Sequence, residues 1–220
     1  MLQAFDFMSI IFAHQYRIPS YQAWVESVDL TPSYTTHRRQ LQYLQWRCPG
    51  ERWVLKSVGH LWGLDRLFET YPDARVVMTH RDPLKLIASH ASLVAMACSM
   101  GSDEVDRLEI GREWSRSWEA AMRKGIAFRE SGKIDESRFF DMHFAELIRD
   151  PVAMARRISA HFDLELGAAA EARMRTFIEE NPPGKHGKHH YTLEQFGLDP
   201  QREQERYRFY QDHYGVATER

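Results

Sequence analysis

The sequence predicts an α/β fold in which a parallel sheet is flanked by helices, and three observations carry that expectation. Residues 52–56 (RWVLK), after a Pro-Gly turn, and residues 74–79 (ARVVMT), after Tyr71-Pro72-Asp73, are short apolar runs of strand length. Between them Leu61, Leu64, Leu67 and Phe68 recur at helical spacing, and strand, helix, strand at that length is a crossover unit joining parallel neighbours. Residues 138–142 (RFFDM) supply a third strand.

The remaining elements follow in order. Residues 1–47 read as helices: an apolar opening to about Tyr16, a break at Pro19, and a second helix through Tyr21, Trp24 and Val25. A third helix carries Tyr34, Leu41, Tyr43, Leu44 and Trp46 and closes at Cys48-Pro49-Gly50. Asp82 can cap the next helix and Pro83 can occupy its first turn, with Leu84, Ile87, Ala91, Val94 and Ala95 as its apolar positions. A long amphipathic helix then sets Leu108, Trp114, Trp118, Ala121 and Met122 on one face, the two tryptophans reading as core. Asp150-Pro151 opens a helix through Met154, Ile158 and Phe162. From Asn181 onward the chain turns polar and histidine-rich before a last charged helix around residues 202–214.

At 220 residues the chain is long enough for one domain with a real core, and nothing in it requires a second. We divide that single domain into a helical segment (1–50), an α/β core (51–180) and a loop with a C-terminal helix (181–220). A net charge of −2 gives no basis for non-specific nucleic-acid binding, so any anion site must be local. The two cysteines, Cys48 and Cys98, are far apart with no metal-type spacing; neither a disulfide framework nor a zinc site is expected, and a reducing cytoplasm is the simplest setting. The apolar run at residues 7–13 is too short to span a bilayer, and Asp6 precedes it where a secretory signal would be basic. That opening helix has no obvious N-cap, so the chain is expected to begin within a domain.

Three constellations can carry chemistry. Lys56 at a strand exit, followed by the small-residue turn Ser57-Val58-Gly59, brings an ammonium and backbone N–H groups to one point, and His60 can take a proton from a hydroxyl near neutral pH. The competing reading is a solvated lysine and a packing or capping histidine. Arg81, at the second strand exit, can fork two N–H bonds to a phosphate, with Ser89 two turns into the following helix adding a hydroxyl; equally, Arg81 can pair Asp82 while Ser89 faces the helices. Gly184, Lys185, Gly187 and Lys188, with His186, His189 and His190, form a cationic loop able to fold over an anion, or a plain surface loop. No carboxylate or cysteine lies among those histidines, so metal is not expected there.

Together the pieces resemble the sulfotransferase family, enzymes that use 3′-phosphoadenosine 5′-phosphosulfate (PAPS), and in particular its bacterial branch. The carrying motifs are WVLKSVGH at 53–60, YPDARVVMTHRDP at 71–83 with Ser89, FAELIRDP at 144–151 and GKHGKHHY at 184–191. PSY at 19–21, HRRQL at 37–41 and LQW at 44–46 also look like that branch, so the similarity covers nearly the whole chain.

The resemblance implies a P-loop NTPase-like sheet and a role for each matching position. Arg81 and Ser89 match the pair that binds the nucleotide 3′-phosphate, and Gly184, Lys185, Gly187 and Lys188 match the late loop that closes over it. Lys56 matches a lysine near the transferring sulfuryl group and His60 the catalytic histidine, with PAPS as co-substrate, a hydroxylated small molecule as acceptor and no metal. Two features depart from the family pattern. Val58 stands where the branch usually has proline, and no Pro-Arg-Ser-Gly-Thr-like phosphosulfate loop, nor a Walker A sequence, occurs in these 220 residues. The expectation is therefore a sulfotransferase whose sheet is incomplete at the N-terminus, from truncation or a start assigned too late, with both an active and an inactive 220-residue form open. Its rival is a non-catalytic remnant that binds 3′-phosphoadenosine 5′-phosphate or a protein partner. A nucleotide kinase of related architecture lacks its Walker A support.

Overall fold

The computed structural model describes residues 2–182, 184, 185, 187 and 189–219. Three helices open it: α1 (Ile11–Gln15), α2 (Pro19–Ser27) and α3 (Thr31–Arg47). A 3-10 turn (Val58–Gly63) and α4 (Leu64–Thr70) lead to strand β1 (Val76–His80), which is followed by α5 (Pro83–Ser99) and α6 (Arg107–Glu130). Strand β2 (Phe139–His143) runs into α7 (Phe144–Arg149) and α8 (Pro151–His161), and α9 (Ala168–Glu180) and α10 (Pro200–Tyr214) complete the order.

An aspartate cap explains the starts of four helices. Asp82, Asp150 and Asp199 each accept a backbone N–H of the first turn, from Leu84 at 2.9 Å, Ala153 at 2.9 Å and Arg202 at 2.8 Å, and each precedes a proline at the first helical position. Such a carboxylate fills an orphan donor and faces the positive end of the helix, while proline gives up only an N–H that has no helical partner. Asp106 does the same for α6, without proline.

The core lies between α5 and α6. Ile87, Ala91, Val94 and Cys98 from α5 meet Ile110, Trp114, Trp118 and Met122 from α6, and Phe196, Tyr207 and Tyr210 close the cluster from the C-terminal part. Gly111 permits that closure. A side chain there would lie 2.8 Å from Cβ of Phe196 and nearer still to its carbonyl oxygen, so α6 can touch this turn only because residue 111 has no Cβ.

A buried histidine pair joins α1 to the core. Trp118 donates its indole N–H to His90 Nδ1 (3.1 Å), so the neutral His90 ring carries its proton on Nε2 and donates it to His14 Nε2 (2.9 Å). Trp114 packs on both rings. Burial lowers the pKa of His14 to about 4 and, with the neighbouring His14, that of His90 to about 3.

The sheet is parallel but smaller than the sequence implies. β1 and β2 pair from Val76 with Phe139 to His80 with His143, and among the described residues the sheet has these two strands. Residues 52–56, expected as a strand, are an extended segment outside any ladder, with Val54 91% exposed. A strand exists only through its neighbour's N–H and C=O groups, and no neighbour lies beside this segment among the described residues. The helix expected through Tyr43, Leu44 and Trp46 does form as the C-terminal half of α3, and it exposes all three side chains.

Two measurements check this packing. Gly111→Ala should lower the free energy of unfolding in urea by about 1–3 kcal/mol through overpacking, whereas Gly167→Ala, at a site with no atom within 4 Å, should be nearly neutral. The histidine pair is neutral when folded and titrates near pH 6.5 when unfolded. Its stabilising contribution should therefore be complete above about pH 6.5 and fall with acidification, as the unfolded chain takes up protons the fold refuses. The thermal midpoint should drop between pH 7.5 and 5, and His90→Phe should flatten that dependence.

Candidate functional site

The exit of β1 presents His80, Arg81 and Asp82 in succession, and each is fixed by a different partner. His80 is fully buried; its Nε2–H donates to Asp141 Oδ1 (2.7 Å) on β2, and Tyr210 of α10 donates its hydroxyl to Nδ1 (2.7 Å). Arg129 of α6 reaches the same carboxylate with two N–H bonds, 2.7 Å to Oδ1 and 3.0 Å to Oδ2. Burial alone would raise the Asp141 pKa, but the bonds from His80 and Arg129 outweigh it and hold the carboxyl well below the usual range. Four elements are thus tied through one carboxylate directly before Arg81.

Arg81 projects beside this clamp. Its guanidinium lies over the Phe144 ring, 4.3 Å from the centroid, and forks onto a carboxylate, that of Glu219, with Nε at 2.9 Å from Oε1 and Nη2 at 3.0 Å from Oε2. The Glu219 hydrogen bond is the largest reason that the Arg81 pKa is raised, and the Tyr191 hydroxyl nearby raises it further. Asp82 is buried, with one carboxylate oxygen capping α5 and the other accepting the Glu219 N–H at 2.8 Å. Ser89 lies seven residues beyond Asp82, two turns along α5 and on the same side. It is half-buried, and its hydroxyl makes no hydrogen bond among the described residues.

The Gly/Lys/His loop contributes to this corner through Tyr191. Gly184 and Gly187 adopt left-handed backbone, at φ +82° and +88°, where a side chain would be strained. Lys185 is exposed and turns back onto the end of α9, donating to the Glu180 carbonyl (2.8 Å) and Asn181 Oδ1 (3.1 Å). Lys188 lies outside the described residues.

His60 sits in a second cluster, on the 3-10 turn. Ser57 caps that turn by accepting the Gly59 N–H at 3.2 Å. His60 Nδ1 is 2.8 Å from the hydroxyl of buried Tyr34, and His37, one turn along α3, bonds Tyr71 at 2.6 Å. Burial first, then the neighbouring His37, lowers the His60 pKa to about 4, and burial lowers that of His37 as well. Tyr71 is pushed up by burial to about 12. Lys56 stays exposed four residues before His60, and its ammonium has no partner among the described residues. No hydrogen bond or ion pair joins the His60 and Arg81 clusters among the described residues, so the imidazole bonded to Tyr34 and the guanidinium paired with Glu219 belong to separate networks.

Several of these residues escape a reading of the sequence. Tyr34 and His37 carry the helical i, i+3 signal that would set them on one face of α3, but nothing local says that this face meets His60. Glu219 and Arg81 are 138 positions apart, with no signal to link them.

Comparison with known proteins agrees with this architecture. The family model described as "Sulfotransferase family" matches residues 1–168. No curated protein matches the chain significantly. Among solved structures, the chain is similar to sulfotransferase STF9 of Mycobacterium avium, with 30% identity and a TM-score of 0.88, over 97% of this chain and 55% of that one. It is also similar to sulfotransferase STF1 of Mycobacterium tuberculosis H37Rv, with 33% identity and a TM-score of 0.79, over 94% and 53% of the two chains. The chain thus spans about half the length of these solved relatives. A family match over three quarters of its length and structural relatives over nearly all of it establish that this mostly helical α/β chain, with its small parallel sheet, belongs to the sulfotransferase family and has its P-loop-like fold.

Proposed function

We propose that this chain carries the 3′-phosphate and histidine side of a PAPS-dependent sulfotransferase site that acts on a hydroxyl of a small molecule. The observation that supports it most is the Arg81 fork at the β1 exit, already matched to a planar anionic group and backed by the ring of Phe144. Ser89, two turns into the helix that follows Arg81, has a hydroxyl with no hydrogen bond among the described residues, which can add to a phosphate held there. Lys185 and the two left-handed glycines lie in the loop that precedes Tyr191, whose hydroxyl adds to the raised pKa of Arg81.

PAPS supplies an activated sulfuryl group when bound; the work of this chain is to hold the nucleotide and to move one proton. In the proposed reaction His60 takes the tautomer in which Nδ1–H is donated to the Tyr34 hydroxyl, which leaves its Nε2 lone pair available. That nitrogen accepts the acceptor's O–H proton as the acceptor oxygen bonds to sulfur and the bond from sulfur to the 5′-phosphate oxygen breaks. A pKa near 4 keeps His60 neutral at pH 7 but makes it a weak base. An anionic group bound beside it strengthens it, because a neighbouring negative charge favours the imidazolium. Lys56, exposed and unpaired among the described residues, can swing to offset charge on the sulfuryl or bridging oxygen. Orientation and electrostatics then supply most of the rate, as in phosphoryl transfer.

The exposure of Lys56, with residues 52–56 outside any sheet, favours a second reading, in which the chain binds the bisphosphate nucleotide without transferring sulfuryl groups. The two readings separate in one set of experiments. Calorimetry should detect adenosine 3′,5′-bisphosphate binding that Arg81→Ala weakens by about tenfold or more and His60→Ala changes by less than about twofold. Absence of binding by the unmutated chain and by Glu219→Ala alike would refute both readings. Transfer of labelled sulfuryl groups from PAPS to a panel of phenols and alcohols, abolished by His60→Ala, supports the enzyme; full turnover by that variant removes His60 as the base.

A further inference from the structure

The segment after α10 is built into the Arg81 corner. Gly215 ends the helix in left-handed backbone, and the chain then doubles back: the Val216 N–H bonds to the Gln211 carbonyl at 2.9 Å, and its side chain is buried in the core. Gln211 also donates to the Thr218 hydroxyl at 3.4 Å. These contacts aim Glu219 at the exit of β1, where its N–H bonds to Asp82 and its carboxylate takes both arms of the Arg81 fork. Asp82 makes no bond to its neighbour's guanidinium among the described residues; its two oxygens accept the N–H groups of Leu84 and Glu219.

A carboxylate and a phosphate offer a guanidinium the same geometry, two oxygens about as far apart as its two N–H groups, so one excludes the other from the fork. Both partners remain accessible, with Arg81 29% and Glu219 30% exposed, and a part-exposed pair of this kind is weak enough to exchange. We infer that segment 215–219 is a latch: Glu219 occupies the anion subsite at Arg81 as an internal mimic of the nucleotide 3′-phosphate and must leave before the nucleotide is bound. This inference rests on the reading of Arg81 as the 3′-phosphate subsite. Opening costs the chain the Arg81 fork and the Asp82 bond but leaves Val216 anchored, so the displaced acid stays near its site and recloses when the nucleotide departs.

The latch lowers apparent affinity by the fraction of molecules that are closed. Glu219→Ala and Glu219→Gln should each tighten binding of adenosine 3′,5′-bisphosphate by about fivefold or more, read by calorimetry on the full chain. In the unmutated chain, saturating nucleotide should accelerate hydrogen exchange at the Glu219 amide, which loses its Asp82 acceptor. A general charge effect of the substitutions would leave that exchange rate unmoved. Equal affinities, with Glu219 amide exchange unchanged or slowed by nucleotide, overturn the latch while leaving the Arg81 subsite standing. If neither the unmutated chain nor the Glu219 variants bind the nucleotide, the subsite reading fails and the latch fails with it. Binding by the variants alone would be the strongest support.

Discussion

Asp141 is the point on which the rest of this structure hangs. It projects from the middle of β2, yet it answers to His80 at the end of β1, to Arg129 of α6 and, through His80, to Tyr210 of α10. Tyr214 stacks on the His80 ring at 4.1 Å, and the Arg129 guanidinium lies over Phe139, so the polar contacts are roofed by aromatic ones. A two-stranded sheet has few ladder bonds and is marginal by itself. Here a charge-assisted network performs the joining that further strands perform in a wider sheet. Such a network has a cost: burying charge is favourable only when every partner is present, and removing one leaves the others uncompensated.

Position within the site follows from that clamp. Because the His80 ring is held from both sides, the peptide that follows leaves β1 in one direction, and Arg81 meets Phe144, Tyr191 and Glu219 while Asp82 turns inward to cap α5. A rigid element thereby aims a side chain that itself remains part-exposed. His60 is held differently, by the N-terminal helices: Tyr34 at its Nδ1, and His37 and Tyr71 behind. The His60 and Arg81 clusters are therefore supported independently, and in the proposed reaction the ligands must reach both.

How much of this the sequence discloses depends on the range of the forces involved. Helix starts are legible because an aspartate before a proline acts on its own first turn, as at Asp82 and Asp150. Trp114 and Trp118 are legible as core because one helical face carries them. The strand expected at residues 52–56 is not formed, since an apolar run becomes a strand only beside a partner, and a run does not say whether its partner exists. Tyr43 and Trp46 are exposed although they lie in an apolar helical pattern, because the pattern does not say whether a partner covers it. Arg81, Ser89 and His60 are legible as candidates from motif order, but Tyr34 and Glu219, which complete their surroundings, come from remote parts of the chain that no spacing connects. His80 hides in plain view, as one letter of a motif whose neighbour takes the attention.

The account stands or falls on the Asp141 carboxylate. Its most direct test is the unfolding free energy of Asp141→Ala, measured by urea titration at pH 7 beside the unmutated chain. Arg129 is only 10% exposed and Asp141 34%, so the loss should be large even after discounting for solvent. We expect a fall of at least about 2 kcal/mol, with Arg129 and His80 left without their shared acceptor. A change within about 0.5 kcal/mol, the range of an ordinary surface substitution, would mean that the strands and the Arg81 corner are held by something else.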